Sequence, residues 1–377
     1  MANKDLQKAK MAQNDEFYTR YADIQSEVNA YLEYNPDVFR DKTVLLPCDD
    51  PEWSNFTRFF AKKFQEFGLK KLISTSFAPE AKAKKYGGNL PLYSYAQEHG
   101  CETPDNERGR VYTLTRSKIK REKIDFANLE WTYLKGDGDF RSDEVRKLRD
   151  EADIIVTNPP FSLFRDFFAW VMESEKKFLC ICNKNCLKFK EVFPHIMGND
   201  VWVGAMSMSI DMLFDIPEHL ADDFVKSGKS GSKYKVVDGK VMGRSPSIWM
   251  TNLEHGRRHE PLRLMTMADN VRYSKHKDVK GVGYQKYLNF DAIEIPYTDA
   301  IPNDYEGVMG VPISFLGKYC PEQFEILGMS LDLADMHIIR KRLGRNDGGP
   351  TFYIEKDGAP ERLYDRIAIR RKKGIGK

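Results

Sequence analysis

The stretch DIIVTNPPF, Asp153 to Phe161, runs an apolar segment of strand length into Asn158, Pro159, Pro160 and Phe161. Two acceptors stand side by side there: the side-chain oxygen of Asn158 and the carbonyl of Pro159. Consecutive prolines fix φ and remove backbone donors, so the turn is rigid and rich in acceptors. Such a pair suits an amine on an aromatic ring. The amine lone pair is delocalised into the ring, and two acceptors aimed at its hydrogens draw the nitrogen toward a tetrahedral, nucleophilic form. Phe161 offers a face on which an unstacked base can lie. The arrangement is set in advance and costs no reorganisation at the moment of reaction. The same four residues also make an ordinary strand-ending turn. Their place in the fold decides between the two.

Between Thr43 and Lys184, five apolar runs alternate with helix-like patterns: TVLLP, KLISTSF, WTYLKG, DIIVTN and FLCICN. After DDPEWS, Phe56, Phe59, Phe60, Phe64 and Phe67 share one helical face. After NPPF, Leu163, Phe164, Phe167, Phe168 and Val171 do the same. Strand and helix in alternation predict an α/β fold with a parallel, doubly wound sheet. Such sheets bind ligands at the carboxyl ends of their strands. Asn158 would lie at the end of the fourth, which favours chemistry over a plain turn. Residues from about 80 to 130 break the rhythm and read as an insertion or long loop. From Lys226, KSGKSGSKYK reads as a flexible basic loop. Beyond about Leu262 the patterns become short and β-like. The expected division is 1–260, carrying the insertion, and 261–377.

The chain has 377 residues, enough for two domains, and its 41% hydrophobic content is enough for real cores. A charged content of 31% and a mean hydropathy of -0.56 fit a soluble protein. No apolar run approaches the roughly 20 residues of a membrane span. The polar start MANKDLQKAK predicts no secretory signal, and six cysteines in this length predict no disulfide scaffold. A bacterial-type cytoplasm is the simplest compartment. Net charge is only +3, yet Arg340 to Lys377 holds twelve Lys and Arg against five Asp and Glu. A basic C-terminal tail on a near-neutral body is the footprint of a phosphate-backbone partner, or else a solvated end.

NPPF resembles the catalytic motif of amino-methyltransferases that use S-adenosylmethionine. These act on adenine N6 and cytosine N4 in DNA, on guanine N2 in ribosomal RNA, and on glutamine in release factors. Taken together, NDEFYTRYADIQSEV, VLLPCDDPEWSNFTRFF, NPPFSLFRDFF, FLCICNKNCLKFKEVFPHI, SIWMTNLEH and GVPISFLGKYCPEQFEILG are similar to the EcoRI family of adenine-specific DNA methyltransferases. The resemblance runs from about residue 12 to about 330, and more faintly to the end. It implies a Rossmann-like S-adenosylmethionine-dependent methyltransferase domain followed by a C-terminal DNA-recognition region. It implies site-specific methyl transfer to adenine N6 in double-stranded DNA, by base flipping and direct transfer. It implies no metal, no obligate protein partner and a monomer. Asn158, Pro159, Pro160 and Phe161 would carry the chemistry. Cytosine N4 in DNA or guanine N2 in RNA is the alternative substrate. A catalytically silent DNA-binding protein is the alternative class.

The same resemblance assigns further contacts. EFYTRY would hold the cofactor's carboxylate, with Tyr18 and Thr19 nearest. In LLPCDDPEW, Pro47, Asp49 and Asp50 would line the cofactor, the aspartates receiving its amino group. Carboxylates there also cap the following helix, and one aspartate can do each job. This loop lacks the glycines of the usual signature, and LISTSFAP has no acidic residue for the ribose hydroxyls, so that partner stays open. In KGDGDF, Asp139 would accept from the cofactor's adenine and Phe140 would pack on its ring, with Asp137 as the alternative and a plain turn as another. Asn158 would border the cofactor as well. On the substrate side, Phe161, Trp249 and Asn252 would wall the base pocket, with Trp249 equally readable as core. Asn183, Lys184 and Asn185 would face the cleft, Lys184 meeting a phosphate.

Other constellations read as incidental. Pro47-Cys48 resembles the nucleophile of cytosine-C5 methyltransferases but follows the first strand. Cys180, Cys182 and Cys186 lack the paired CxxC form, and the first two share one strand face, so they read as core. His255 and His259 lack a matching ligand set.

Overall fold

Strands in the first part of the chain are β1 (Tyr18–Thr19), β2 (Thr43–Leu46), β3 (Lys71–Ser76), β4 (Arg110–Thr115), β5 (Thr132–Tyr133), β6 (Ile154–Thr157), β7 (Lys177–Asn183), β8 (Trp202–Val203), β9 (Met212–Asp215), β10 (Tyr234–Val237), β11 (Lys240–Ser245) and β12 (Ser247–Thr251). This computed structural model describes residues 18–78, 107–121, 125, 129–216, 221, 225–226, 231, 233–343 and 349–372. The chain divides into two units: 1–196 with 201–255, and 197–200 with 256–377.

The first unit is mixed α/β. Its main sheet has eight strands in the order β5-β4-β3-β2-β6-β7-β12-β8. The inner four, β3, β2, β6 and β7, are parallel. They are buried along nearly their whole length, as expected of apolar runs covered on both faces. A smaller sheet has the order β1-β9-β11-β10. The Phe-rich segments form helices shorter than the spacing predicts: Phe64 and Phe67 follow the end of the first, and Leu163 precedes the second. Helix α1 is Tyr21–Tyr34 and α2 is Asn55–Lys62. The Ser54 hydroxyl caps α2 by accepting from the Phe56 N–H at 3.0 Å. Phe56, Phe59, Phe60, Phe64 and Phe67 all lie in the core. Helix α3 is Asp143–Glu151, and α4, Phe164–Glu173, buries Phe164, Phe167, Phe168 and Val171.

Two expectations are corrected here. The third parallel strand, expected in WTYLKG, is only the short edge strand β5. Between it and β3 lies β4, inside the stretch read as an insertion. β4 alternates buried and half-buried residues and pairs antiparallel with all six residues of β3. Gly- and Pro-rich neighbours hid that alternation. Because β4 reverses, β5 runs in the direction of β3, and KGDGDF still emerges at the carboxyl end of the sheet. Residues 79–106, 122–124 and 126–128 of the expected insertion lie outside the described residues. So do 227–230 and 232 of the basic loop.

The second unit carries β13 (Ile293–Glu294), β14 (Met309–Pro312), β15 (Phe324–Met329), β16 (Tyr353–Lys356), β17 (Ala359–Arg362) and β18 (Arg366–Arg371). Its four-stranded sheet has the order β13-β14-β18-β15. The basic C-terminal stretch is therefore not an appended tail. β18 lies between β14 and β15, and Ile367, Ala368 and Ile369 are fully buried. Arg366 is neutralised internally by Glu294, at 2.7 and 3.0 Å, and Tyr287 donates to the same carboxylate. Residues 344–348 and 373–377 of this stretch lie outside the described residues. Among the described residues no helix is long and apolar enough to cross a membrane.

Candidate active site

Asn158 leaves β6 between the ends of β2 and β7, where the parallel strands deliver their carboxyl-end loops. The β2 loop is tied to it directly. Asp49 accepts from the Thr157 hydroxyl at 2.6 Å, from the Ser54 hydroxyl at 2.8 Å and from the Asn158 backbone N–H. The backbone of Asp49 is fixed to β3 in turn. Its N–H donates to the Thr75 carbonyl at 3.0 Å, and its carbonyl accepts from the Ser74 hydroxyl. Thr57 bonds Ser74 at 2.7 Å, and Thr75 donates to the Pro47 carbonyl at 3.1 Å. A web of buried hydroxyls thus fixes the backbone of this glycine-poor loop. Burial pushes the Asp49 carboxyl up to about 7, against the pull of Thr157, Ser54 and Asn158.

Of the two aspartates expected to receive an amino group, Asp49 is 5% exposed and both its oxygens already accept from the chain's own donors. Asp50 is different. It accepts from the Glu52 N–H at 2.8 Å, and its carboxylate lies 3.5 Å from Arg110 with its side chain 23% exposed. Arg110 is itself fixed by Glu52 at 2.6 Å and by stacking on Trp131 at 4.3 Å.

Thr19 enters beside α2, where its carbonyl accepts from Asn55 at 2.9 Å. Its hydroxyl is buried and makes no hydrogen bond within the described chain. Tyr18 pairs with Asp215 in the smaller sheet.

The KGDGDF loop crosses the end of β3. The Ala78 N–H donates to the Asp137 carbonyl at 2.7 Å, and Gly109 donates to Gly136 at 2.9 Å. Gly138 has φ +78, and a Cβ there would come within 2.1 Å of the Ser76 carbonyl. Only glycine permits that crossing. Asp139 is clasped by Arg141, at 3.0 Å from Nε and 2.8 Å from Nη2. Phe140 is 4% exposed and packs on Phe167 and Trp170, each at 5.7 Å. Both residues expected to read an adenine are thus turned to the protein's own partners. Asp137, the alternative, is half-buried and accepts from the Asp139 N–H at 3.0 Å.

On the substrate side, Pro159 is buried and Pro160 is extended. Phe161 opens a short 3-10 turn and, at 6% exposed, packs its ring into the main core rather than presenting it for stacking. Asn183 caps the next turn by accepting from the Asn185 N–H at 2.9 Å, and Asn185 is exposed. Lys184 is paired with Asp211 at 2.8 Å, which also binds Arg244 at 3.0 Å. Burial works against the charge of Asp211, but Lys184 and Arg244 hold its carboxyl below the usual range. Lys184 would have to leave that pair to meet a phosphate.

Trp249 and Asn252 are not brought to the site. β12 is antiparallel to β7, with Ser247 opposite Asn183 and Thr251 opposite Leu179. Asn252 therefore emerges at the far end of the sheet. There its oxygen accepts from the Phe178 N–H at 2.7 Å and its amide donates to the Lys176 carbonyl at 3.0 Å. Trp249 is a core residue, edge-on to Phe56 at 5.8 Å. Sequence reasoning missed what β12 does bring to the Asn158 end: Ser247, bonded to Ser245 at 2.8 Å, both buried. It also missed Thr157, Ser74 and Thr75. Their common signal was a hydroxyl at the last positions of a buried strand.

Cys180, Cys182 and Cys186 are buried. His255 bonds the Val203 carbonyl, whereas His259 bonds Glu322. Among the described residues no three His, Cys, Asp or Glu are grouped to hold a metal ion.

The profile of the family described as "Adenine-specific methyltransferase EcoRI" matches residues 5–372. The chain is similar to the type II methyltransferase M.EcoRI of Escherichia coli, 37% identical over 86% of this chain and 89% of that protein. It is similar to M.MpnI of Mycoplasma pneumoniae, 32% identical over 98% of each. It is also similar to M.MgeORF184P of Mycoplasma genitalium, 31% identical over 85% of this chain and 84% of the relative. No solved structure matches the chain.

Proposed function

This chain belongs to the EcoRI family of adenine-specific methyltransferases, and from that premise we propose that it methylates N6 of one adenine within a recognition site in double-stranded DNA, using S-adenosylmethionine. The observation that carries the proposal is the family match combined with the place of Asn158. It stands at the carboxyl end of an inner parallel strand, bonded to the neighbouring strand's loop. We read the first unit, 1–196 with 201–255, as a Rossmann-like methyltransferase domain on this ground.

The residues around Asn158 fit the cofactor. A buried, unpartnered Thr19 hydroxyl suits a carboxylate, and the part-exposed Asp50 carboxylate suits an ammonium group. Asp137, beside the close crossing at Gly138, is placed to accept from a base or a ribose. S-adenosylmethionine, when bound, supplies a methyl group on a positively charged sulfur. The chain does the rest. Flipping the adenine out of the duplex costs a few kcal/mol. The Asn158 oxygen and the Pro159 carbonyl accept the two amine hydrogens and align the nitrogen lone pair for direct transfer. They stabilise the positive charge that develops on that nitrogen, and the proton leaves to water afterwards. Neither step uses a covalent enzyme intermediate or a metal.

Residues 261–377 form the recognition region in this reading. Exposed Arg272, Lys275, Lys277, Lys280 and Lys286 there offer contacts to phosphates, and Tyr273 offers an exposed ring beside them. Affinity for DNA should fall steeply with salt. The protein acts as a monomer in the cytoplasm and needs no protein partner. The test is methyl transfer from labelled S-adenosylmethionine to unmethylated genomic DNA, followed by nucleoside analysis. Label in N6-methyladenine is expected. Label in N4-methylcytosine, or in RNA alone, overturns the assignment.

A further inference from the structure

We propose that Asp49 is a positioning residue for transfer: by holding Thr157 and the Asn158 N–H it fixes the Asn158–Pro159 acceptor pair, and so sets the rate of transfer rather than the affinity for cofactor. This rests on the reading of Asn158 as the catalytic residue.

Pro159 and Pro160 have no N–H, so the Asn158 N–H, just after β6, is the last backbone donor before Phe161. That donor goes to Asp49. The Thr157 hydroxyl goes to the same carboxylate at 2.6 Å. Asp49 is in turn immobilised from the opposite side, by Ser54 at 2.8 Å and by backbone bonds to Thr75 and from Ser74. The turn that carries the acceptor pair is thus referenced to β2, β3 and α2 through one side chain. A displacement of about 1 Å at such a link is enough to slow a reaction roughly 100-fold.

The link depends on charge. Among the described residues, the groups that reach the Asp49 carboxylate donate to it: Ser54 at the cap of α2, Thr157 of β6 and Asn158 just after it. β3 and α2 add hydroxyls nearby, on Ser74, Thr75 and Thr57. The titratable neighbours on its own loop are Cys48 and Asp50, the latter beside Glu52 and Arg110. Among the described residues no cation is paired with Asp49 itself. A proton on the carboxyl would remove the charge that strengthens the bonds from Thr157, Ser54 and the Asn158 N–H, and would loosen the turn. With burial holding the carboxyl near 7, turnover should require the ionised form and fall as pH drops below about 7.

The experiment compares wild type with Asp49→Asn, Thr157→Val and Thr157→Ser. Turnover is measured on unmethylated genomic DNA, and S-adenosylmethionine affinity by calorimetry. Asp49→Asn should lose about 100-fold in kcat while cofactor Kd stays within about threefold. Its acidic limb below pH 7 should disappear. Thr157→Val should lose about tenfold, and Thr157→Ser, which keeps the hydroxyl, should restore the wild-type rate. Equal losses of kcat and cofactor affinity in Asp49→Asn would make it a cofactor contact and overturn the proposal. So would an unchanged kcat, or an acidic limb that survives the substitution. Should Asp49→Asn not fold, the Thr157 pair decides by the same criteria. Asn158→Ala separates the two levels. If it is inactive while Asp49→Asn and Thr157→Val run at full rate, only the positioning role fails. If it retains turnover, the reading of Asn158 itself fails.

Discussion

Asn158 after β6 and Asn252 after β12 look alike in the sequence, each a polar amide closing a buried apolar strand. In the folded chain they lie at opposite ends of one sheet. β6 runs parallel to β2, so its exit meets the β2 loop and Asp49. β12 runs antiparallel to β7, so its exit returns to the start of β7 and closes backbone groups of Lys176 and Phe178. The same side chain is a candidate for chemistry in one place and a structural clasp in the other. Strand direction makes the difference, and no local pattern encodes direction.

The comparison can be broken by substitution, and the largest stability effect should fall on the β12 side. Trp249→Ala should destabilise the first unit by about 3–5 kcal/mol, the usual range for a large aromatic removed from a core. Denaturant unfolding checks this. A variant as stable as wild type would place the ring at a surface instead.

A second effect separates the two exits by pH. The β6 exit is held by a carboxyl whose pKa is raised on folding, from an ordinary value near 3.9 to about 7. The native state then binds more protons than the unfolded state between roughly pH 4 and 7, so the associated stability is present at the acid end and lost as pH rises through 7. The loss amounts to as much as about 4 kcal/mol, and Asp49→Asn should flatten it. Unfolding curves between pH 4 and 8 report it directly. A wild-type stability contribution that instead rises with pH across this window would contradict the burial effect.

Asn252→Ala should be smaller, about 1–3 kcal/mol, because it leaves the Phe178 N–H and the Lys176 carbonyl without their partner. The loss should be the same at pH 5 and pH 8, and kcat of the folded fraction should be unchanged. A fall in kcat without a fall in stability would return Asn252 to the base pocket. Lys184→Gln is the smallest case. Its ion pair with Asp211 is part-exposed, so stability should change by less than about 1 kcal/mol. The salt dependence of DNA affinity should not change. A slope reduced by about one would show Lys184 on a phosphate.

Much of this fold was readable because its signals are local. The inner strands are continuous apolar runs, and the phenylalanine faces of α2 and α4 keep helical spacing. What escaped depended on distant partners. β4 needed β3 to reveal itself, and the Gly- and Pro-rich surroundings of RVYTLT suggested a loop. β18 looked like a basic tail because Arg366, Arg370 and Arg371 dominate its composition, while Ile367 and Ile369 do the packing. At the candidate site, the NPPF turn was legible from its own chemistry. The clasp of Arg141 on Asp139, the packing of Phe140 on Trp170 and the three-way hold on Asp49 were not. Each requires knowing which loop lies beside which, and that is set by the strand order.

In the proposed reading the Asn158 turn does chemistry and does not merely end a strand. The most direct measurement takes wild type and Asn158→Ala side by side, recording S-adenosylmethionine affinity and methyl transfer to adenine in unmethylated DNA. In Asn158→Ala, transfer should fall to background with cofactor affinity nearly intact. Transfer that persists in Asn158→Ala, or cofactor binding lost together with it, would contradict the role assigned to the turn.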